Sequence, residues 1–186
     1  MKPATAWTKE EAQSIESQSS LRLMELISQL LPKNKPVIDF GCGPGYYVKY
    51  LQDKGYAAFG MEGTPSHNGD QTKGIIRADL SLPVGELPIH NTITFEVGEH
   101  IYPECESTFL DSITRNVDSK IIMSWAIPGQ GGLGHINERD NVYILNEMEK
   151  RGFKLNLGET LMLRTEMRKQ QYFWWFRNTL MSFDKR

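Results

Sequence analysis

The chain has 186 residues, a formal net charge of −2, 39% hydrophobic and 24% charged residues, which is one domain's length with enough apolar content for a real core. The near-neutral charge provides no global basic field, so an extended nucleic-acid track is not supported, although a local patch is compatible with it. Two cysteines, Cys42 and Cys105, make neither a disulfide framework nor a zinc pattern; no apolar run approaches the roughly 20 residues that span a bilayer, no signal-peptide stretch opens the sequence, and the expected location is cytoplasmic.

Thr8 and Glu11 stand at capping-box spacing and predict a helix to about Gln18. A second helix starts near Ser19 or Ser20 with Leu23, Met24, Ile27, Leu30 and Leu31 on one face, and Pro32 stops it. Residues 36–40 read as a short buried strand ending in a carboxylate, Asp39, followed by glycines at 41, 43 and 45 and a helix over 45–54. Without Cβ atoms the turn lets a bulky ligand approach the backbone at a helix N-terminus. A dinucleotide fingerprint G-x-G-x-x-G needs glycine at 46, where this chain has Tyr46.

The second strand ends at Glu62, 17 residues beyond Gly45, where a carboxylate can accept both hydrogen bonds of a ribose diol. A polar loop over 63–73 leads to a third strand, 74–78, then Asp79-Leu80. The fourth strand, 91–96, passes into Glu99-His100; 105–115 suits a helix and 120–125 a fifth strand. Residues 126–138 form a loop with four glycines within six positions (129, 131, 132, 134), a composition hard to order without a ligand, with a flexible surface connection as the alternative. A helix over 140–151, with Val142, Leu145 and Met148 on one side, and closing strands over 153–157 and 178–183 complete the chain. The alternation implies a sheet between helices, and in such folds ligands sit beyond the carboxyl ends of the strands. Asp39, Glu62, Asp79, Glu96 and the loop after Trp125 all fall there.

The spacing hydrophobic-Asp-x-Gly-x-Gly-x-Gly over 37–45 resembles motif I of the class I S-adenosylmethionine (SAM) dependent methyltransferases. The resemblance extends over roughly 34–155. It implies an α/β fold, a three-layer doubly wound seven-stranded sheet, mostly parallel with an antiparallel last strand. Residues 1–186 then form one domain: N-terminal helices over 1–33, which pack beside the sheet or close over the ligand, a cofactor-binding core over 34–155, and closing strands over 156–186. It further implies that Gly41, Gly43 and Gly45 carry the cofactor, that Asp39 orients the turn and the cofactor's amino group, and that Glu62 takes the ribose. Asp79 and Leu80 then meet the adenine, and Thr94, Phe95 and Glu96 the methionine part.

Glu96, Glu99 and His100 are spaced i, i+3, i+4, so a helical turn after the fourth strand would aim them to one side. With His135 opposite, they make two oxygen and two nitrogen ligands for a divalent ion, a set that suits Mn²⁺, Fe²⁺, Co²⁺ or Zn²⁺ better than Mg²⁺. The segment resembles the Glu-x-x-Glu-His of metal-dependent 2′-O-methyltransferases acting on small-RNA 3′ ends and of some quinone-pathway O-methyltransferases. In other class I enzymes such a segment binds no metal and only ends the strand. In that case Glu99, His100 or His135 is catalytic, with either histidine as a general base of near-neutral pKa. The aromatic run 172–176, beside Arg168, Lys169 and Arg177, suits base stacking, an apolar acceptor pocket or plain core packing.

The expected function is methyl transfer from SAM to a small-molecule acceptor, at oxygen. An RNA terminus or peptide as acceptor, or a non-catalytic SAM-binding module, are the alternatives, and a nicotinamide oxidoreductase is disfavoured by Tyr46. No membrane partner is expected, and oligomeric state is left open.

Overall fold

The structure, a computed structural model, describes residues 20–63, 74–87, 90–115 and 117–186. The expected helix before Gln18 and most of the 63–73 loop lie outside them. Helix α1 (Leu21–Leu30) is capped by Ser20, whose hydroxyl accepts from Leu23 N, and it buries Leu23, Met24, Leu26 and Ile27. Strand β1 (Val37–Phe40) leads through the glycine turn into α2 (Tyr46–Asp53). Strands β2 (Ala58–Glu62), β3 (Ile75–Arg77), β4 (Asn91–Thr94) and β5 (Lys120–Met123) follow, with α3 (Glu106–Thr114) before β5 and α4 (Asn141–Lys150) after it. The chain closes with β6 (Phe153–Leu155), α5 (Leu157–Met167), α6 (Phe176–Thr179) and β7 (Met181–Lys185).

The sheet order is β3-β2-β1-β4-β5-β7-β6. Strands β1 to β5 are parallel, and β7 runs antiparallel to both β5 and β6. Strands β1, β4 and β5 are buried along their whole length, as a sheet covered on both faces requires. Ile38, Phe40, Ile121 and Met123 pack with Phe109, Ile113, Ile144 and Met148 of α3 and α4. Val37, Ile93 and Ile122 pack on the other face with α1, α2 and α5. Two apolar cores on one sheet make the three-layer architecture expected from the sequence. Among the described residues no helix is long and apolar enough to cross a membrane.

Three expectations need correction. Residues 156–186 hold two helices besides a closing strand. Asn156 caps α5 by accepting from Glu159 N, and the helix buries Thr160, Leu163 and Met167 while Leu157 and Leu161 stay exposed; apolar residues on both sides hide the helical stripe that sequence reading relies on. The last strand begins at Met181 rather than 178, because Phe176–Thr179 is helical. In α4 the buried pair is Ile144 and Met148, and Val142 is exposed, since steps of three drift off one helical face. Buried Lys120 ties α5 to the sheet, 2.6 Å from Glu159 Oε2 and 2.5 Å from Asp184 Oδ1.

The turn after β4 is held against a fully buried Trp125, whose indole N–H donates to the Asn137 carbonyl at 2.7 Å. A Cβ at Gly98 would lie 2.1 Å from that ring. Gly98→Ala is therefore expected to destabilise the protein by about 3 kcal/mol through overpacking. A denaturant midpoint equal to wild type would show that the turn is not packed this way.

Candidate cofactor and active site

The strand order reverses between β1 and β4, the place where an α/β sheet opens a crevice at its carboxyl edge. Asp39 lies in that gap, in register with Gly60 of β2 and Ile93 of β4. Its carboxyl is buried and Oδ2 has no hydrogen-bond partner. Burial, with the Glu62 charge nearby, pushes it well above the usual aspartate range. Gly41, with φ at +76°, takes a backbone conformation that disfavours other residues, and a Cβ there would meet Val97 at 2.4 Å. Gly43 differs: nothing lies within 4 Å of where its Cβ would be. The space above the turn is open, as a ligand pressed on the backbone needs.

Glu62, at the end of β2, turns inward and accepts from Gly43 N at 2.8 Å. Gly45 heads α2 with φ at +85°. The Asp79 carboxylate accepts from Ser81 N at 2.9 Å and from the Ser81 hydroxyl at 2.6 Å, and Leu80 packs in the core with Met61 and Val84. Thr94 is buried with its hydroxyl unpartnered. Orphaned polar atoms at Asp39 and Thr94, together with the open turn, fit a polar ligand such as SAM. The cysteine in the turn, Cys42, fills space beside Gly60, whose Cβ would strike its sulfur at 2.5 Å.

Beyond β4 the backbone breaks sharply at Glu96, a non-glycine residue with φ at +53° whose N–H donates to the Ser124 hydroxyl at 3.0 Å. Such strain is characteristic of functional turns. A 3₁₀ turn over Gly98–His100 follows. One ligand atom each of Glu99, His100 and His135 lie within 4.8 Å of one another. Glu99 is fully buried, and its carboxylate oxygens lack hydrogen bonds of good geometry, with only the backbone N–H groups of Glu99 and Ala126 and the Glu96 carboxyl nearby. His135 Nε2 stands 3.8 Å from Glu99 Oε1, too far for a hydrogen bond.

Glu96 is not in this group, contrary to its expected place as a fourth ligand. Its carboxyl lies beside Glu99 and within the field of His135, but Gln130 Nε2 holds its Oε2 at 2.5 Å, outside the group of close ligand atoms. Burial pushes Glu96 up, and it pushes Glu99 up further, aided by the Glu96 charge. His100 does not have the near-neutral pKa expected of a general base: burial, then the charge of His135, lowers it to about 4. Its Nδ1 lies 3.1 Å from the Gly134 carbonyl, which can only accept, so Nδ1 carries the proton and Nε2 a lone pair.

Two backbone N–H groups, of Ile136 and Asn137, donate to the Glu99 carbonyl at 2.9 and 3.0 Å and set the height of His135 over Glu99. Buried Glu106 fixes the next residues, accepting from Asn137 Nδ2 at 2.9 Å, Arg139 Nε at 2.6 Å and the Tyr143 hydroxyl. Sequence reading missed Glu106, Gln130 and Glu138. Glu138, three residues beyond His135 at the end of the glycine loop, had the one local signal, a carboxylate spaced to meet that histidine. Burial opposes its ionisation, but hydrogen bonds from His135, Gly129 and Gly131 hold its carboxyl below the usual range. In the aromatic run, Phe176 joins the core and meets Phe95 edge-on at 6.0 Å, while Tyr172 is exposed; core packing accounts for part of the run.

No protein-family model and no curated protein matches the sequence. Among solved structures, the chain superimposes on a TehB-like SAM-dependent methyltransferase from Corynebacterium glutamicum with a TM-score of 0.68 and 15% identity, over 95% of each chain. The chain has the class I methyltransferase fold. Within that fold it is also similar to magnesium protoporphyrin IX methyltransferase from Synechocystis PCC 6803 with bound SAH (TM-score 0.64, 15% identity, 94% of this chain and 83% of that one). A third similar structure is the 1,6-didemethyltoxoflavin-N1-methyltransferase of Burkholderia thailandensis, bound to 1,6-didemethyltoxoflavin and S-adenosylhomocysteine (TM-score 0.66, 12% identity, 95% and 83%). The open turn at Gly43 and the Glu99 cluster follow β1 and β4, neighbouring parallel strands, at the same carboxyl edge of the sheet.

Proposed function

We propose that this chain is a SAM-dependent methyltransferase that acts on a small-molecule acceptor at oxygen, with a divalent ion as template. The observation that carries the reading is the group of buried Glu99 with half-buried His100 and His135 at the same sheet edge as the open glycine turn. Asp39, Gly41, Gly43, Gly45, Glu62, Asp79, Leu80, Thr94 and Glu96 would hold the cofactor. Glu99, His100 and His135 would hold the metal, and their donor set fits Mn²⁺, Fe²⁺, Co²⁺ or Zn²⁺. Two bound small-molecule methyltransferases among similar folds and the net charge of −2 favour a small acceptor over an RNA terminus. A cytoplasmic location goes with this reading.

When bound, SAM supplies an electrophilic methyl group, and a divalent ion supplies a Lewis acid that lowers the pKa of an acceptor hydroxyl. The chain's own work is to align the acceptor, exclude water and receive a proton. Glu96 lies outside the ligand group and keeps one buried oxygen, Oε1, unpartnered; it is the residue that would take that proton.

Calorimetry with S-adenosylhomocysteine, with chelator and then with Mn²⁺, tests both ligands. Binding of each is expected, and tritium should pass from labelled SAM into a small-molecule extract. His135→Ala should bind S-adenosylhomocysteine as wild type does and lose about 10²-fold or more in transfer. Full activity in that variant would refute the active-site assignment. Cofactor binding without transfer to any fraction would favour a non-catalytic module.

A further inference from the structure

The carboxylate of Glu138 sits at the centre of the glycine loop. Its two oxygens accept from Gly129 N and Gly131 N, both at 2.7 Å, and Oε1 lies 3.1 Å from His135 Nδ1. The loop is wound around one side chain. We infer that Glu138 is the positioning residue of the site, fixing His135 as the Nδ1–H tautomer with its Nε2 lone pair turned toward Glu99.

The chemistry follows from what each atom can do. An ionised carboxylate only accepts, so the ring nitrogen beside it must donate. That leaves the proton off Nε2, the nitrogen facing Glu99 Oε1 at 3.8 Å. A free imidazole has no such constraint; its tautomer is set by whatever its outer nitrogen meets. The second histidine depends on Glu138 at one remove. His100 Nδ1 is oriented by the carbonyl of Gly134, which belongs to the loop that Glu138 gathers. Both rings thereby present an unprotonated Nε2, and they meet edge-on with centroids 5.0 Å apart. A Cβ at Gly132 would lie 2.3 Å from His135 Nε2 and 2.6 Å from Cδ2, so the loop backbone packs on one face of the ring and leaves the in-plane Nε2 lone pair uncovered by it. An outer carboxylate that holds a ligand histidine is worth about 10–100-fold in metal affinity where it has been removed.

The inference about metal affinity rests on the proposed metal site; the tautomer does not. The test uses the full chain and two variants, Glu138→Ala and Glu138→Gln. Nitrogen-15 shifts of the His135 ring, taken without metal at about pH 8.5 where imidazole is neutral, should report the Nδ1–H form in wild type. Glu138→Ala should move most of the population to Nε2–H and weaken Mn²⁺ binding about 10–100-fold, with S-adenosylhomocysteine affinity unchanged. Glu138→Gln, which keeps an acceptor oxygen, should restore the wild-type tautomer. Glu138→Leu, which also lacks an acceptor, replaces the alanine variant if that protein does not fold. A His135 that keeps the Nδ1–H form with no acceptor at 138 would overturn the inference. Wild-type protein that takes no Mn²⁺ would instead remove the metal reading, and the tautomer would still decide the role of Glu138.

Discussion

Glu99→Gln is expected to stabilise the metal-free protein by about 1–3 kcal/mol at neutral pH while lowering methyl transfer at least about 10³-fold. The opposite signs have one cause. Glu99 is fully buried with no side-chain donor on either oxygen, and the backbone N–H groups of Glu99 and Ala126 offset only part of the burial cost, so its ionised form bears a net desolvation penalty. Glutamine fills the same volume without charge, but it is a far weaker metal ligand than a carboxylate. Sites that sacrifice stability for function respond in this way.

The pH dependence gives a second readout of the same residue. Burial, and then the Glu96 charge, raises the Glu99 pKa; burial likewise raises Asp39, aided by Glu62. A raised acid binds its proton more tightly in the folded state. Its contribution is fully present below the unfolded value, about 3.9 for Asp and 4.3 for Glu, and is lost as pH rises toward the folded one. Metal-free protein should therefore lose stability with rising pH through the acid-to-neutral range, and Glu99→Gln should flatten that slope. Added Mn²⁺ should offset the loss in wild type only. Chemical denaturation across pH, with and without Mn²⁺, measures all of this. A Glu99→Gln protein less stable than wild type without metal would show that the carboxylate has a structural partner.

Glu62→Ala is expected to weaken S-adenosylhomocysteine binding about 10²-fold, close to 3 kcal/mol, with little change in folding stability. The carboxylate bridges the end of β2 to Gly43 N at 2.8 Å, directly beside the open space over the turn. Removing it deletes a charged acceptor for a ribose diol and loosens the turn at once. Glu62→Gln keeps an acceptor for the Gly43 amide and should fall between the two proteins. Calorimetric affinities equal across all three would mean that no nucleoside sits against β2.

Much of the molecule was legible from local signals. The β1–turn–α2 unit was readable because a buried run, an acid and three alternating glycines act within ten residues, and backbone sterics need no distant partner. The carboxyl ends of β1 to β5 follow from the alternation of strands and helices, so Asp39, Glu62, Asp79 and Glu96 could be placed on one edge. Helix α5 was not readable, because Leu157 and Leu161 are exposed while Leu163 and Met167 are buried, and the apolar period is lost.

The glycine turn, the parallel strands and the inventory of acids and histidines at the sheet edge were determined by sequence alone, since each depends on contacts between near neighbours in the chain. Only the tertiary structure decided which of those groups meet. It placed Glu99 rather than Glu96 with the two histidines, through the break at Glu96 and the hydrogen bonds that carry 136 and 137 onto the Glu99 carbonyl. It also put Glu138 behind His135. Those choices depend on how the loop after β5 registers against the turn after β4, and that register is set by hydrogen bonds between residues about 40 apart in the chain, beyond the reach of any local pattern.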